Sequence, residues 1–129
     1  MNQICKKISL DSLSSYVIVH VTMVQYLRSK TQLSNIILHE KQAVIFYIAD
    51  WAGPSRILQP IVARISQQFK SIAFYFIDAD EHPDIVQAQD IESVPTCQLY
   101  ANGLLVGFVE GPVPSELKAR IQEFDECFQ

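Results

Sequence analysis

The chain has 129 residues, a formal charge of −4, 49% apolar and 19% charged residues, which is the size and balance of one soluble globular domain with a core of its own. The acidic balance argues against nucleic acid as a partner, since phosphate binding wants a basic face, and no apolar stretch reaches the length of a membrane span. Cys5, Cys97 and Cys127 make an odd count with no short spacing, which excludes a disulfide framework or a zinc pattern and points to the reducing cytoplasm.

Residues 1–21 are read as an N-terminal extension and residues 22–129 as the domain. Lys6 and Lys7 ahead of Tyr16-Val17-Ile18-Val19-His20-Val21 loosely imitate a targeting segment. Asp11 and His20 interrupt the pattern and no small-residue cleavage site follows, so an extra strand over residues 17–21 is the expectation, with organellar targeting as the alternative. Residues 24–27 predict a first strand. Residues 30–39, with Leu33, Ile36 and Ile37 on one face, predict a first helix.

Residues 43–49 are apolar without alternation, as in a strand covered on both faces by helices. This strand is placed at the centre of the sheet. Ile57, Leu58, Ile61, Val62, Ile65 and Phe69 recur at helical spacing and predict a long core-facing helix, kinked by Pro60. Residues 72–77 predict a second buried strand, parallel to the first because a helix crosses between them.

Asp78-Ala79-Asp80-Glu81-His82-Pro83-Asp84 opens a short helix through Gln89, with Pro83 in its first turn. The four carboxylates and the histidine suit a solvated loop and a helix N-terminus better than a metal site. Asn102-Gly103, between residues 96–100 and 104–109, is a hairpin signal. A last helix over residues 114–124 turns Leu117, Ile121 and Phe124 inward.

Between the central strand and the long helix lies Trp51-Ala52-Gly53-Pro54-Ser55-Arg56. A strand that ends in a tight turn with Pro just inside the next helix presents that helix N-terminus, with its unpaired N–H groups and positive dipole end, at the surface. The stretch resembles the Trp-Cys-Gly-Pro-Cys-Lys or Arg motif of the thioredoxin family. The resemblance extends from about Met23 to Phe124 and includes Ile91-Glu92-Ser93-Val94-Pro95-Thr96 as a second motif. It implies the thioredoxin fold: an α/β architecture with a central mixed β-sheet flanked by two helices on each face. It also implies a cis Val94–Pro95 bond packed beside Gly53-Pro54, and places Gly111 where the family keeps a glycine that lets a bound chain approach.

Both motif cysteines are missing, replaced by Ala52 and Ser55. Thiol–disulfide exchange needs an attacking thiolate and a second thiol to resolve the mixed disulfide, and a helix N-terminus helps by lowering the attacking thiol's pKa. Ala52 has no nucleophile, and Ser55 has no histidine adjacent in sequence to act as its base. Redox-active family members also carry a buried Asp under the motif and a Lys near it, which manage protons during exchange. The matching positions here are read as Phe46 and Phe74, both apolar.

A binding surface is what the resemblance leaves. Trp51, Ala52, Gly53, Pro54, Val94, Pro95 and Gly111 are expected to form an exposed apolar groove, with the Val94 backbone free to pair with an extended peptide. No catalytic residue, metal or cofactor is expected. Ser55 reads as a helix-start hydroxyl, Asp50 as a solvated turn residue and Cys97 as a packed thiol. His20, His39 and His82 lie too far apart to suggest a ligand set.

The first functional reading is therefore a redox-inactive thioredoxin-like protein that binds a protein partner in the cytoplasm. Asp78-Ala79-Asp80-Glu81 and Ile91-Glu92-Ser93-Val94-Pro95 also resemble the thioredoxin-like N-terminal domain of multidomain monothiol glutaredoxins, which implies a place in iron–sulfur homeostasis. Those proteins usually retain the second motif cysteine, and no glutaredoxin domain follows within these 129 residues. The second reading is a thioredoxin-type protein disulfide reductase whose two motif cysteines were replaced by engineering. The oligomeric state is left open.

Overall fold

The structure, a computed structural model, describes residues 24–129. The strand expected over residues 17–21, with Cys5 and His20, lies outside them. The elements run β1 (Gln25–Tyr26), α1 (Lys30–His39), β2 (Gln42–Ile48), α2 (Gly53–Gln68), β3 (Ala73–Asp78), α3 (Pro83–Ala88), β4 (Thr96–Ala101), β5 (Leu104–Glu110) and α4 (Pro114–Cys127). No helix among the described residues is long and apolar enough to cross a membrane.

The strands form one sheet in the order β1-β3-β2-β4-β5. β3 pairs in parallel with both β1 and β2, as a helix crossing between parallel strands requires. β2–β4 and β4–β5 are antiparallel. β2 is thus the middle strand, and all of its residues are buried, which is what its uninterrupted apolar composition indicates.

Because side chains alternate along a strand, β2 feeds two cores. Val44, Phe46 and Ile48 pack with Leu58, Val62 and Ile65 of α2 and with Leu117, Ile121 and Phe124 of α4. Ala43, Ile45 and Tyr47 pack with Leu33 of α1 and Ile85 of α3. Two helices therefore cover each face. The β4–β5 turn places Asn102 at φ 53° and Gly103 at φ 85°, the left-handed pair that a two-residue hairpin turn demands.

One core assignment is corrected. Ile57 is 61% exposed rather than core-facing. Ile61, one turn further along the same side of α2, is itself only partly buried against the core. That side is the margin of the apolar stripe, and Ile57, closer to the Trp51 turn, lies beyond it. At the other end, α4 continues past Phe124 to Cys127, and the Phe128 ring packs against Phe124 at 5.6 Å between centroids.

The central strand should dominate stability. Phe46→Ala, at a position with no solvent exposure, is expected to cost about 3–5 kcal/mol, measured as a lowered midpoint in urea unfolding.

Candidate functional site

β2 ends at Ile48, and the chain turns through Ala49-Asp50-Trp51 into α2. Ala52 N–H donates to the Ala49 carbonyl at 3.1 Å, and the Ala52 carbonyl accepts from Ser55 and Arg56 N–H at 3.0 and 3.2 Å. Ala52 is the N-cap residue and has no side-chain group to cap with. Pro54 sits at the start of the helix, where a missing N–H costs nothing. Arg56 folds its guanidinium back onto the Asp50 carbonyl.

Ser55 does not play the expected part. Its side chain is fully buried, and its hydroxyl accepts from the Ala49 N–H at 3.2 Å. It ties the end of β2 to the first turn of α2 instead of capping the helix. A backbone donor at the end of a buried strand needs such a partner.

Trp51 is 69% exposed, while the Ala52 side chain is buried. Trp51 and Val94 line a shallow cavity of about 180 Å³ together with Ala79, Val86, Ile91, Glu92 and Ser93. Among the other residues expected at the groove, Pro54 and Gly111 are exposed, Gly53 is half-buried and Pro95 is buried. The Val94–Pro95 peptide is cis. Gly111 N–H donates to the Pro95 carbonyl at 2.9 Å, which brings Gly111 beside the second motif. Gly111 has φ 57°, and a Cβ there would meet open space, so backbone conformation rather than crowding asks for glycine. Among the described residues, Val94 N–H and C=O make no backbone hydrogen bond.

Ala79, Val86, Ile91, Glu92 and Ser93 were not foreseen as lining residues. Ala79 follows β3, and its N–H donates to the Ile48 carbonyl at 2.8 Å. The loop assigned to solvent is thereby pinned against the end of the central strand. An apolar Ala inside an acidic run was the available signal. The carboxylate of Asp78 accepts from Asp80 and Glu81 N–H at 2.9 and 3.3 Å, which is an Asx turn. Among the described residues, no group of three or more His, Cys, Asp or Glu is arranged to hold a metal ion.

Behind α3, a buried polar cluster joins helix to sheet. Tyr47 and Tyr100 hydroxyls donate to the Gln98 side-chain carbonyl at 2.9 and 3.1 Å. The Gln98 amide donates to Gln89 at 3.3 Å, where α3 ends. Burial pushes the Tyr47 pKa well up, with Tyr100 adding to the shift, and burial raises Tyr100 as well.

Phe46 and Phe74 are both buried in the core facing α2 and α4; in the ladder Phe46 stands opposite Phe76 and Phe74 opposite Val44. The Phe46 and Phe76 rings meet edge-to-face with centroids 6.1 Å apart. Cys97, on β4, is buried and lies in the core facing α2 and α4. Burial drives its thiol pKa up, with Arg120 opposing weakly. Cys127 is exposed near the chain end.

The sequence model for Thioredoxin matches residues 23–123. Thioredoxin-1 of Saccharomyces cerevisiae is 30% identical over 99 residues, covering 77% of this chain and 96% of that protein. Among solved structures, mitochondrial thioredoxin 3 of S. cerevisiae in its oxidised form superimposes with a TM-score of 0.73 at 30% identity, over 78% of this chain and 94% of the other. Thioredoxin of Plasmodium falciparum gives 0.74 at 27% identity, over 78% and 98%.

Ser55→Ala leaves the buried Ala49 N–H without its acceptor and is expected to cost about 1–3 kcal/mol, read as a lower urea midpoint at unchanged m-value. The tyrosine cluster predicts the alkaline limit. Tyr47 and Tyr100 stay protonated in the fold at pH values where unfolded tyrosines, with pKa near ~10, ionise. Their contribution to stability is therefore fully present below about pH 10 and declines progressively as the pH rises further. Urea midpoints measured across that range should be flat and then fall, and Tyr47→Phe should flatten the fall.

Proposed function

The chain belongs to the thioredoxin family, and from that premise we propose that it is a redox-inactive protein-binding domain. It holds an extended segment of a partner protein along Trp51, Gly53, Pro54, Val94 and Gly111. The observation that carries the proposal is the sulfur-free turn. The relatives are named thioredoxins, and carrying disulfide exchange over to this chain would need an attacking thiolate and a resolving thiol. Residue 52 offers a buried methyl group, and residue 55 a hydroxyl already engaged by the Ala49 N–H.

The surroundings agree with the turn. A carboxylate or ammonium near the motif could relay protons during exchange, but the matched positions, Phe46 and Phe74, are buried apolar rings. Cys97 does not substitute for the missing thiols, because a buried thiol with a raised pKa is neither accessible nor ionised. What persists is shape: an exposed tryptophan, a cavity beside it and a free backbone at Val94. These suit main-chain pairing with an extended peptide, one of whose side chains enters the cavity. In this proposal residues 22–129 form the binding domain, residues 1–21 an extension, and the free thiols fit a reducing cytoplasm.

A second reading, an engineered form of a disulfide reductase, is favoured by one observation. Ser55 is fully buried in the first turn of α2, a place that would accept a thiol as readily as a hydroxyl.

Insulin reduction by the Ala52→Cys/Ser55→Cys variant separates the readings. Turnover close to background is expected on the binding proposal, whereas robust turnover would favour the reductase. Binding itself is tested with a peptide selected by display against the unaltered domain. Trp51→Ala should weaken its affinity about tenfold or more without altering the circular dichroism spectrum, and unchanged affinity would remove Trp51 from the groove.

A further inference from the structure

The carboxylates of this chain are unevenly placed. Residues 71–117 hold eight Asp and Glu and no Lys or Arg, a formal charge of −8 against −4 for the whole chain, so every Lys and Arg lies outside that stretch. It supplies every described lining residue of the cavity except Trp51. The sheet then sorts charge by strand direction. Asp50 follows β2, Asp78 closes β3 and Glu110 closes β5, and these three strands point the same way. Lys41 and Lys70 precede β2 and β3, at the opposite end.

Carboxylates adjoin the cavity wall from each segment that builds it. Asp50 is next to Trp51, Asp80 next to Ala79 and Asp90 next to Ile91, while Glu92 is itself part of the lining. All four are exposed. Burial raises the Tyr26 pKa, and Asp50, Asp78 and Glu81 raise it further, so the turn after β2 and the loop after β3 bring their charges to one place. Among the described residues no Lys or Arg lines the cavity. Arg56 gives its guanidinium to the Asp50 backbone carbonyl, and Arg28 and Lys30 follow β1, which lies outside β3 in the sheet.

We infer that the partner segment held by the groove is cationic: an extended stretch whose apolar side chain enters the cavity and whose neighbouring positions carry Lys or Arg. The inference rests on the groove reading above and adds the chemistry of the occupant. Trp51, Ala79, Val86, Ile91 and Val94 in the lining call for the apolar anchor, and the carboxylates around them set the charge of its flanks. Single exposed ion pairs contribute little, so selectivity comes from several together and from the summed field that steers the encounter. An acidic segment meets like charge from every wall, and the same carboxylates reject it. Residues 1–23 of this chain have the reverse pattern. Their only Lys or Arg, Lys6 and Lys7, are adjacent, with Ile4, Cys5, Ile8 and Leu10 around them, so apolar residues flank the charge instead of charge flanking an apolar anchor. The occupant is a separate protein.

The test displays random peptides against the unaltered full chain, then remakes a selected peptide with the positions flanking its anchor as Lys, Gln or Glu. Selection should return apolar residues flanked by Lys or Arg. Affinity measured by fluorescence anisotropy at low salt should fall in the order Lys, Gln, Glu, by about tenfold or more from first to last, and the gap should close as salt is raised. Glu81→Lys/Glu92→Lys, with an unchanged circular dichroism spectrum, should weaken the Lys peptide about tenfold and strengthen the Glu peptide. Selected peptides that depend on Trp51 but give a flat or reversed order would overturn the inference and leave the groove reading standing. Failure to select any peptide that depends on Trp51 would remove both. Should the double variant fail to fold, salt decides on the unaltered chain, and a gap that persists at high salt would overturn the inference. Lys6→Glu/Lys7→Glu should bind the Lys peptide as the unaltered chain does; tighter binding would assign the carboxylates to the chain's own lysines and overturn the separate partner.

Discussion

The complete burial of β2 is the constraint on which the other features depend. A strand whose residues all lose contact with water must have partners on both faces and at both edges, because its backbone groups have nowhere else to bond. Here β3 and β4 supply the edges, and four helices supply the faces. Once β2 is held this way, its C-terminal end has a fixed position and direction. The Ser55 hydroxyl on Ala49 N–H and the Ala79 N–H on the Ile48 carbonyl then fasten the Trp51 turn and the loop after β3 to that end. The site is a consequence of where the central strand stops.

The same arrangement separates shape from chemistry. Neither the turn after β2, the start of α2 nor the Gly111–Pro95 bond requires a sulfur atom. A methyl at Ala52 and a hydroxyl at Ser55 are accommodated within a core that also accepts aromatic rings at Phe46 and Phe76. Burying a carboxylate there would carry a desolvation cost unless a partner answered it. The ring pair carries no such cost. The shape of the turn and the chemistry of thiol exchange draw on different atoms, and residues 51–56 hold the shape without a sulfur.

Much of the fold was legible because its signals are local or periodic. The apolar run of β2, the Leu117, Ile121 and Phe124 spacing of α4 and the Asn102-Gly103 turn each state their structure within a few residues. The misreadings arose where meaning depends on what lies opposite. Ile57 fits the helical period yet falls past the margin of the core, and helical spacing does not say where the sheet beneath ends. Ser55 was placed at a helix start by composition, while its partner is a strand donor six positions earlier. The cavity beside Trp51 takes most of its lining from α3 and the segment leading to Val94, which only the fold brings to it.

The geometry of the sheet also relates the groove to the β5 edge. β5 is antiparallel to β4, which is antiparallel to β2, so β2 and β5 point the same way. Gly111, directly after β5, stands at the same end of the sheet as the Trp51 turn. Strand direction alone therefore gathers the Trp51 turn, at the end of β2, and Gly111, at the end of β5, on one side of the sheet, although sixty residues separate them in the chain. The Gly111–Pro95 hydrogen bond then fixes the second motif against the same end.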